Sequence, residues 1–167
     1  MLRNLSVGLL VSLLLSSAAF AQIQHGDPAG DLLLQGLGDY QHTLNNYAER
    51  PATAIVFLSA RCPVVEANYE RIREIHQKYR RRDVLYVGIV SDPDQSVDEI
   101  RDFMQKRGII FPVYRDLDGK IRERFAATVT PELFLLDGEG KLVYHGGLDR
   151  DQSFQSLELA IQSLLLK

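Results

Sequence analysis

Thr53-Ala54-Ile55-Val56-Phe57-Leu58-Ser59-Ala60-Arg61-Cys62-Pro63 is the stretch that decides the fold. The run from Thr53 to Leu58 is rich in β-branched and aromatic residues and lacks polar alternation. It therefore reads as a strand buried on both faces. Pro63 suits the first turn of a helix, where its missing N–H would have no intrahelical partner. Beyond it, Val65, Tyr69, Ile72, Ile75 and Tyr79 recur at helical spacing, with Glu66, Glu70, Arg73, Glu74 and Lys78 between them. The only cysteine of the chain thus stands where a buried strand meets a helix N-terminus. The unpaired N–H groups there and the helix dipole favour a thiolate. Arg61 adds a neighbouring positive charge, and Glu66, one turn in, opposes it. A lone cysteine is usually a small buried hydrophobe; its place at this turn makes Cys62 the candidate reactive thiol.

Outward from that point, the chain reads as one globular domain behind a leader. It has 167 residues, 46% hydrophobic and 25% charged, with a formal net charge of −3. Arg3, the apolar run Leu5 to Leu15 and the small-x-small Ala19-Phe20-Ala21 form a secretory signal peptide, residues 1–21, cut after Ala21. The apolar run is short for a membrane span, so no stable anchor is expected after cleavage. Residues 22–167 form the domain, for which a secreted or periplasmic location follows. Its mild acidity gives no reason for nucleic-acid binding. A single cysteine excludes an internal disulfide, so stability must come from the core.

Further along, Leu32-Leu33-Leu34 is expected to be a short edge strand. Val84 to Val90 reads as a second buried strand. Ser96 and Glu99 form a capping box for a helix with Val97, Ile100, Phe103 and Met104 inside and Gly108 at its end. Ile109 to Tyr114 is expected as a strand, and Ile121 with Phe125 marks a short helix. Glu132 to Leu136 and Lys141 to His145 form a hairpin about Asp137-Gly138-Glu139-Gly140. Phe154, Leu157, Ile161, Leu164 and Leu165 make one face of a closing helix. The order predicts an α/β domain: a central mixed sheet of four or five strands, helices on both faces, and Val56, Phe57, Val87, Ile89, Phe134 and Leu136 in its core. Pro131 must sit at a strand start or an edge, because it lacks a ladder donor.

Four pieces together resemble the thioredoxin fold, in the branch of peroxiredoxin-like (alkyl hydroperoxide reductase/thiol-specific antioxidant) redoxin domains. They are Val56 to Pro63, Phe111 to Tyr114, Val129 to Asp137 and Gly138 to Gly146. The resemblance implies a cis-proline, here Pro131, facing the active cysteine. It also implies a Ser/Thr-x-x-Cys site in which Ser59 would hydrogen-bond the Cys62 thiolate or a peroxide, with Arg61 close by. Two positions depart from the family pattern. Ile55 replaces the proline before the Ser/Thr, and Pro131 aligns with the later catalytic arginine. Relative to Cys-x-x-Cys reductases, Ser59 occupies the usual attacking position.

The residues implied are Cys62, Ser59, Arg61 and Pro131, with no cofactor and no metal. A one-cysteine antioxidant enzyme of this kind would depend on an external thiol reductant or act on protein thiols. The alternative is a redox-silent binding module using the Cys62/Pro131 face. A copper site would have only Cys62 and His145 to draw on. Cys62 is expected to be partly exposed and more acidic than a free thiol, through the helix N-terminus, Arg61 and Ser59.

Overall fold

The computed structural model describes residues 22–47, 49–148 and 150–166; the expected signal peptide lies outside them. In chain order the elements are β1 (Leu33–Gln35), β2 (Gln41–Thr43), β3 (Ala52–Phe57), α1 (Pro63–Tyr79), β4 (Val84–Val90), α2 (Val97–Arg107), β5 (Val113–Arg115), α3 (Lys120–Phe125), β6 (Glu132–Asp137), β7 (Leu142–Gly147) and α4 (Asp151–Leu165). They form one mixed sheet in the order β2-β1-β5-β4-β3-β6-β7. This is the thioredoxin-like α/β arrangement.

β3 lies between β4, which it pairs in parallel, and β6, which it pairs antiparallel. All six of its residues are buried. Ala52, Ala54, Val56 and Leu58 face a layer built by α1, α2 and α4 through Val65, Ile72, Ile100, Phe154, Leu157 and Ile161. Ile55 and Phe57 face the other layer with Val87, Ile89, Phe134 and Leu136, closed by Ile121 and Phe125 of α3 and by Ile23 and Ala29. Two covered faces explain why the strand has no polar alternation. The six expected core residues are all buried. Burying each large apolar side chain contributes about 1.5–3 kcal/mol.

The helix ends follow local chemistry. Ser96 accepts from the Glu99 N–H and Glu99 from the Ser96 N–H, the expected capping box. Gly108 closes α2 with φ 61°. The Asp137 carboxylate accepts the N–H groups of Glu139 (3.0 Å) and Lys141 (2.9 Å), which shapes the β6–β7 hairpin.

Several expectations are corrected. The sheet has seven strands, not four or five. Leu33–Gln35 is not an edge: β1 joins β2 to β5, and β2, with no apolar signature, is the outer strand. That edge is held by side chains. The His42 Nδ1 lies 2.9 Å from the Tyr114 hydroxyl and 3.1 Å from that of Tyr47, and the two phenols also hydrogen-bond each other. Burial, then the Tyr47 hydroxyl, pushes the Tyr114 phenol above its ordinary range.

The strand expected from Ile109 begins only at Val113. The Ile109 N–H is spent on the Met104 carbonyl (2.9 Å), capping α2, and Ile110 is 58% exposed. On α1, Tyr69 is only half-buried and lies under the Arg107 guanidinium, 4.8 Å from its ring centre. His76 is buried instead, between the rings of Tyr86 and Phe111. Among the described residues, no helix is long and apolar enough to cross a membrane.

Gly88 in β4 provides a test of this packing. A Cβ there would stand 2.8 Å from Val113 Cγ2, 3.2 Å from Phe111 Cε2 and 3.3 Å from Leu58 Cδ1. The Gly88→Ala substitution is expected to lower the unfolding free energy by about 1–3 kcal/mol through overpacking, measured by urea denaturation; an unchanged midpoint contradicts the packing.

Candidate active site

β3 delivers its C-terminal end to the site. The Leu58 N–H still bonds the Ile89 carbonyl (2.8 Å), after which the chain turns, with the Cys62 N–H donating to the Ser59 carbonyl at 3.3 Å. Cys62 is the N-cap of α1, with extended backbone (φ −86°, ψ 118°), and Pro63 starts the helix. The N–H groups of Val64 and Val65 therefore have no intrahelical acceptor, and although no cap hydrogen bond to the sulfur closes, they favour the anionic form of the Cys62 thiol. Opposite lies the loop ahead of β6, where Thr130-Pro131 is a cis peptide bond. The Cys62 Sγ donates to the Thr130 carbonyl at 3.1 Å.

These contacts pull in two directions. Burial pushes the Cys62 thiol up, whereas hydrogen bonding from the Thr130 side chain and the nearby Val65 and Val64 N–H groups pull it down. The Thr130 carbonyl accepts from the neutral thiol and so opposes ionisation. The donors prevail, and the thiol is more acidic than an ordinary cysteine. Cys62 is half-buried. Among the described residues it has no second sulfur to pair with. Ser59 lies three residues before it, and Val65, three after, is wholly buried.

Ser59 and Arg61 are near in sequence but engaged elsewhere. The Ser59 hydroxyl oxygen accepts from Gln95 Nε2 (2.9 Å) and from the Arg61 N–H (3.2 Å). The Arg61 guanidinium grips Glu99 at the start of α2 through Nε (2.8 Å) and Nη2 (2.7 Å), and donates to the Asp94 carbonyl at 3.0 Å. A planar fork matches a carboxylate better than a single sulfur, so the charge turns away from Cys62. Neither side chain hydrogen-bonds the Cys62 sulfur, whereas the sequence reading expected such a bond from Ser59. The opposing charge of Glu66 is met by Arg107, its ion-pair partner.

Two contributors carried no clear signal in the sequence. Gln95 is buried, and its side chain joins the cysteine loop to the β4–α2 turn: its Oε1 accepts the Ala60 N–H (2.8 Å) and its Nε2 donates to Ser59 and to Asp92 (3.0 Å). Thr130 was signalled only by standing before Pro131. Beside Thr130 and Ser59 a cleft of about 590 Å³ opens, with Leu58, Asp92 and Arg122 in its walls. Among the described residues no cluster of three or more His, Cys, Asp or Glu could hold a metal ion. His145, half of the copper alternative, gives its Nε2 to Glu132 at 3.1 Å.

The AhpC/TSA family matches residues 25–145. The thiol-disulfide oxidoreductase ResA of Bacillus thuringiensis subsp. konkukian is 25% identical over 58% of this chain and 54% of its own length. The chain therefore spans about half the length of the curated relatives it matches. A hypothetical protein of Sinorhizobium meliloti superposes with a TM-score of 0.77 at 27% identity, covering 87% of this chain and 86% of the other. A secreted Mycobacterium tuberculosis disulfide oxidoreductase shares the fold, with a TM-score of 0.65 at 16% identity over 79% of this chain and 95% of its own.

Two measurements check the geometry. The rate of Cys62 alkylation against pH should have its midpoint below the roughly 8.5 of a free cysteine. Thr130→Val should raise that midpoint, and Arg61→Ala should leave it in place; a rise in Arg61→Ala would return the guanidinium to the sulfur. Separately, the Arg61 hydrogen bonds, and then the Ser96 N–H, hold the Glu99 carboxyl down at about 2. Its folded pKa is depressed, so the stabilisation is fully present above roughly pH 4.3. It is lost as pH falls through about 2. In Arg61→Ala, NMR titration should find Glu99 moved up toward the ordinary carboxylate range.

Proposed function

The chain belongs to the AhpC/TSA family, and from that premise we propose that it is an exported thiol oxidoreductase whose reacting atom is Cys62 Sγ. One observation carries the reading: a half-exposed, acidified thiol at a helix N-cap, against a cis-proline loop, with no second cysteine in the chain. The N-terminal 1–21 acts as the leader, and residues 22–167 form the working domain.

The chemistry needs two external sulfur partners. The Cys62 thiolate attacks a disulfide, forming a mixed disulfide as the other sulfur leaves with the electron pair. A second thiol, ionised, then attacks the partner's sulfur and releases the Cys62 thiolate. The Val64 and Val65 N–H groups favour the thiolate as attacking and as leaving group. Pro131 shapes the wall facing the sulfur. Arg61 and Ser59 hold the cysteine loop through Glu99 and Gln95. The Ser59 hydroxyl oxygen accepts two hydrogen bonds, which leaves its own proton for a substrate atom.

The peroxide-reducing form of the reading rests on the family. There the thiolate attacks an O–O bond, giving a sulfenic acid and hydroxide or alkoxide. One external thiol condenses with the sulfenic acid, releasing water, and a second reduces the resulting mixed disulfide. With Arg61 committed to Glu99, the geometry favours disulfide exchange over peroxide cleavage.

The test is to offer the protein from Gln22 onward a small disulfide and, in parallel, hydrogen peroxide, and to follow Cys62 by mass spectrometry. Mixed disulfide that reverses with added thiol is the expected outcome, abolished in Cys62→Ser. Sulfenic acid formed faster than disulfide would make peroxide the substrate. A thiol inert until denaturation would replace catalysis with a partner-binding role for the Cys62/Pro131 face.

A further inference from the structure

Glu132 is the first residue of β6 and directly follows Pro131, yet it is only 4% exposed. A buried carboxylate is retained only where its oxygens are hydrogen-bonded. Its Oε2 accepts the N–H groups of Thr128 (2.9 Å) and Val129 (3.3 Å), and its Oε1 accepts from His145 Nε2 on β7 (3.1 Å). The His145 ring is itself stacked on Phe134, 4.8 Å between centroids with planes 12° apart.

The two residues so held have little else to fix them. Thr128 is exposed and Val129 is 55% exposed, so packing of their own side chains does little to fix these two residues between Ala127 and Pro131. The next residue, Thr130, touches the sulfur. A continuous series of contacts thus runs from His145 through Glu132 to the two loop N–H groups, and from Thr130 to Cys62.

We propose that Glu132, steadied by His145, is a positioning residue for the Cys62 thiol: it fixes the loop that brings Thr130 against the sulfur. The proposal deepens the oxidoreductase reading and rests on Cys62 being the reacting atom. Its readout is the intrinsic reactivity of the thiol, independent of any substrate. A carboxylate suits the task because one oxygen can face both loop donors while the other faces the imidazole. Glutamine keeps an acceptor oxygen for the loop; methionine keeps the length and removes it.

The experiment measures the pH–rate profile of Cys62 alkylation by iodoacetamide in the wild-type protein, Glu132→Met and Glu132→Gln. Glu132→Met should slow alkylation at neutral pH roughly two- to tenfold, the loss of about one net hydrogen bond, and move the profile to higher pH. Glu132→Gln should recover most of both effects. A Glu132→Met protein that unfolds earlier but keeps the wild-type profile would make Glu132 a structural residue only and overturn the proposal. Should that variant fail to fold, hydrogen exchange of the wild-type Thr128 and Val129 amides decides: protection supports the proposal, and exchange at the rate of an unstructured peptide overturns it. If the profile shifts in Glu132→Met while the wild-type protein exchanges no disulfide, the oxidoreductase reading falls and the positioning role stands.

Discussion

The antiparallel register that sets Phe57 of β3 opposite Glu132 of β6 is the constraint on which the rest depends. It aligns the end of the central strand with the start of its neighbour. The residues just beyond Phe57 lead to Cys62, and those just before Glu132 are Thr130 and Pro131. A slip of one residue would turn every side chain of β6 to the opposite face. Phe134 and Leu136 would then leave the layer they share with Phe57 and Ile89. Core packing and the meeting of sulfur with loop are therefore fixed by the same ladder. That is why a site built from residues 68 apart can stand on a backbone contact of 3.1 Å.

Electrostatics around the sulfur come from the backbone more than from charged side chains. Two helix N–H groups and a threonine hydroxyl offset the burial. The charged groups nearest in sequence, Arg61 and Glu66, are each paired with a residue of α2, Glu99 and Arg107. The start and end of α2 thus take up the charges that flank the cysteine. The local field at Cys62 is left to groups whose direction is set by the fold.

Much of the fold was legible because its signals are local. Periodicity marked the buried strands, the capping box marked α2, and Gly108 marked its end. The position of Cys62 and the placement of Pro131 at a strand start were legible for the same reason. What escaped depended on partners far along the chain. Arg61 and Ser59 looked like neighbours of the thiol, but their directions are decided by Glu99 and Gln95, 38 and 36 positions away. β2 escaped because an outer strand of three residues has no apolar pattern and is secured by a phenol–imidazole ring instead. The strand expected from Ile109 was cut short because a helix cap claimed its first N–H.

The opening segment of the domain has a bearing on association between chains. The Gly26 N–H bonds the Leu142 carbonyl (2.8 Å), the Leu142 N–H bonds the Asp27 carbonyl (3.0 Å), and Pro28 forms a bridge with Lys141. Backbone groups at the start of β7, an outer strand of the sheet, are thereby occupied by residues from the other end of the sequence. An uncovered row of this kind is a template for strand addition and aggregation. A domain trimmed to begin after Pro28 would lose that cover. The contact also spans more than a hundred positions, so its closure entropy is high and it cannot form before the last hairpin exists. The strand cover made by Gly26 to Pro28 thus waits for nearly the whole domain to emerge.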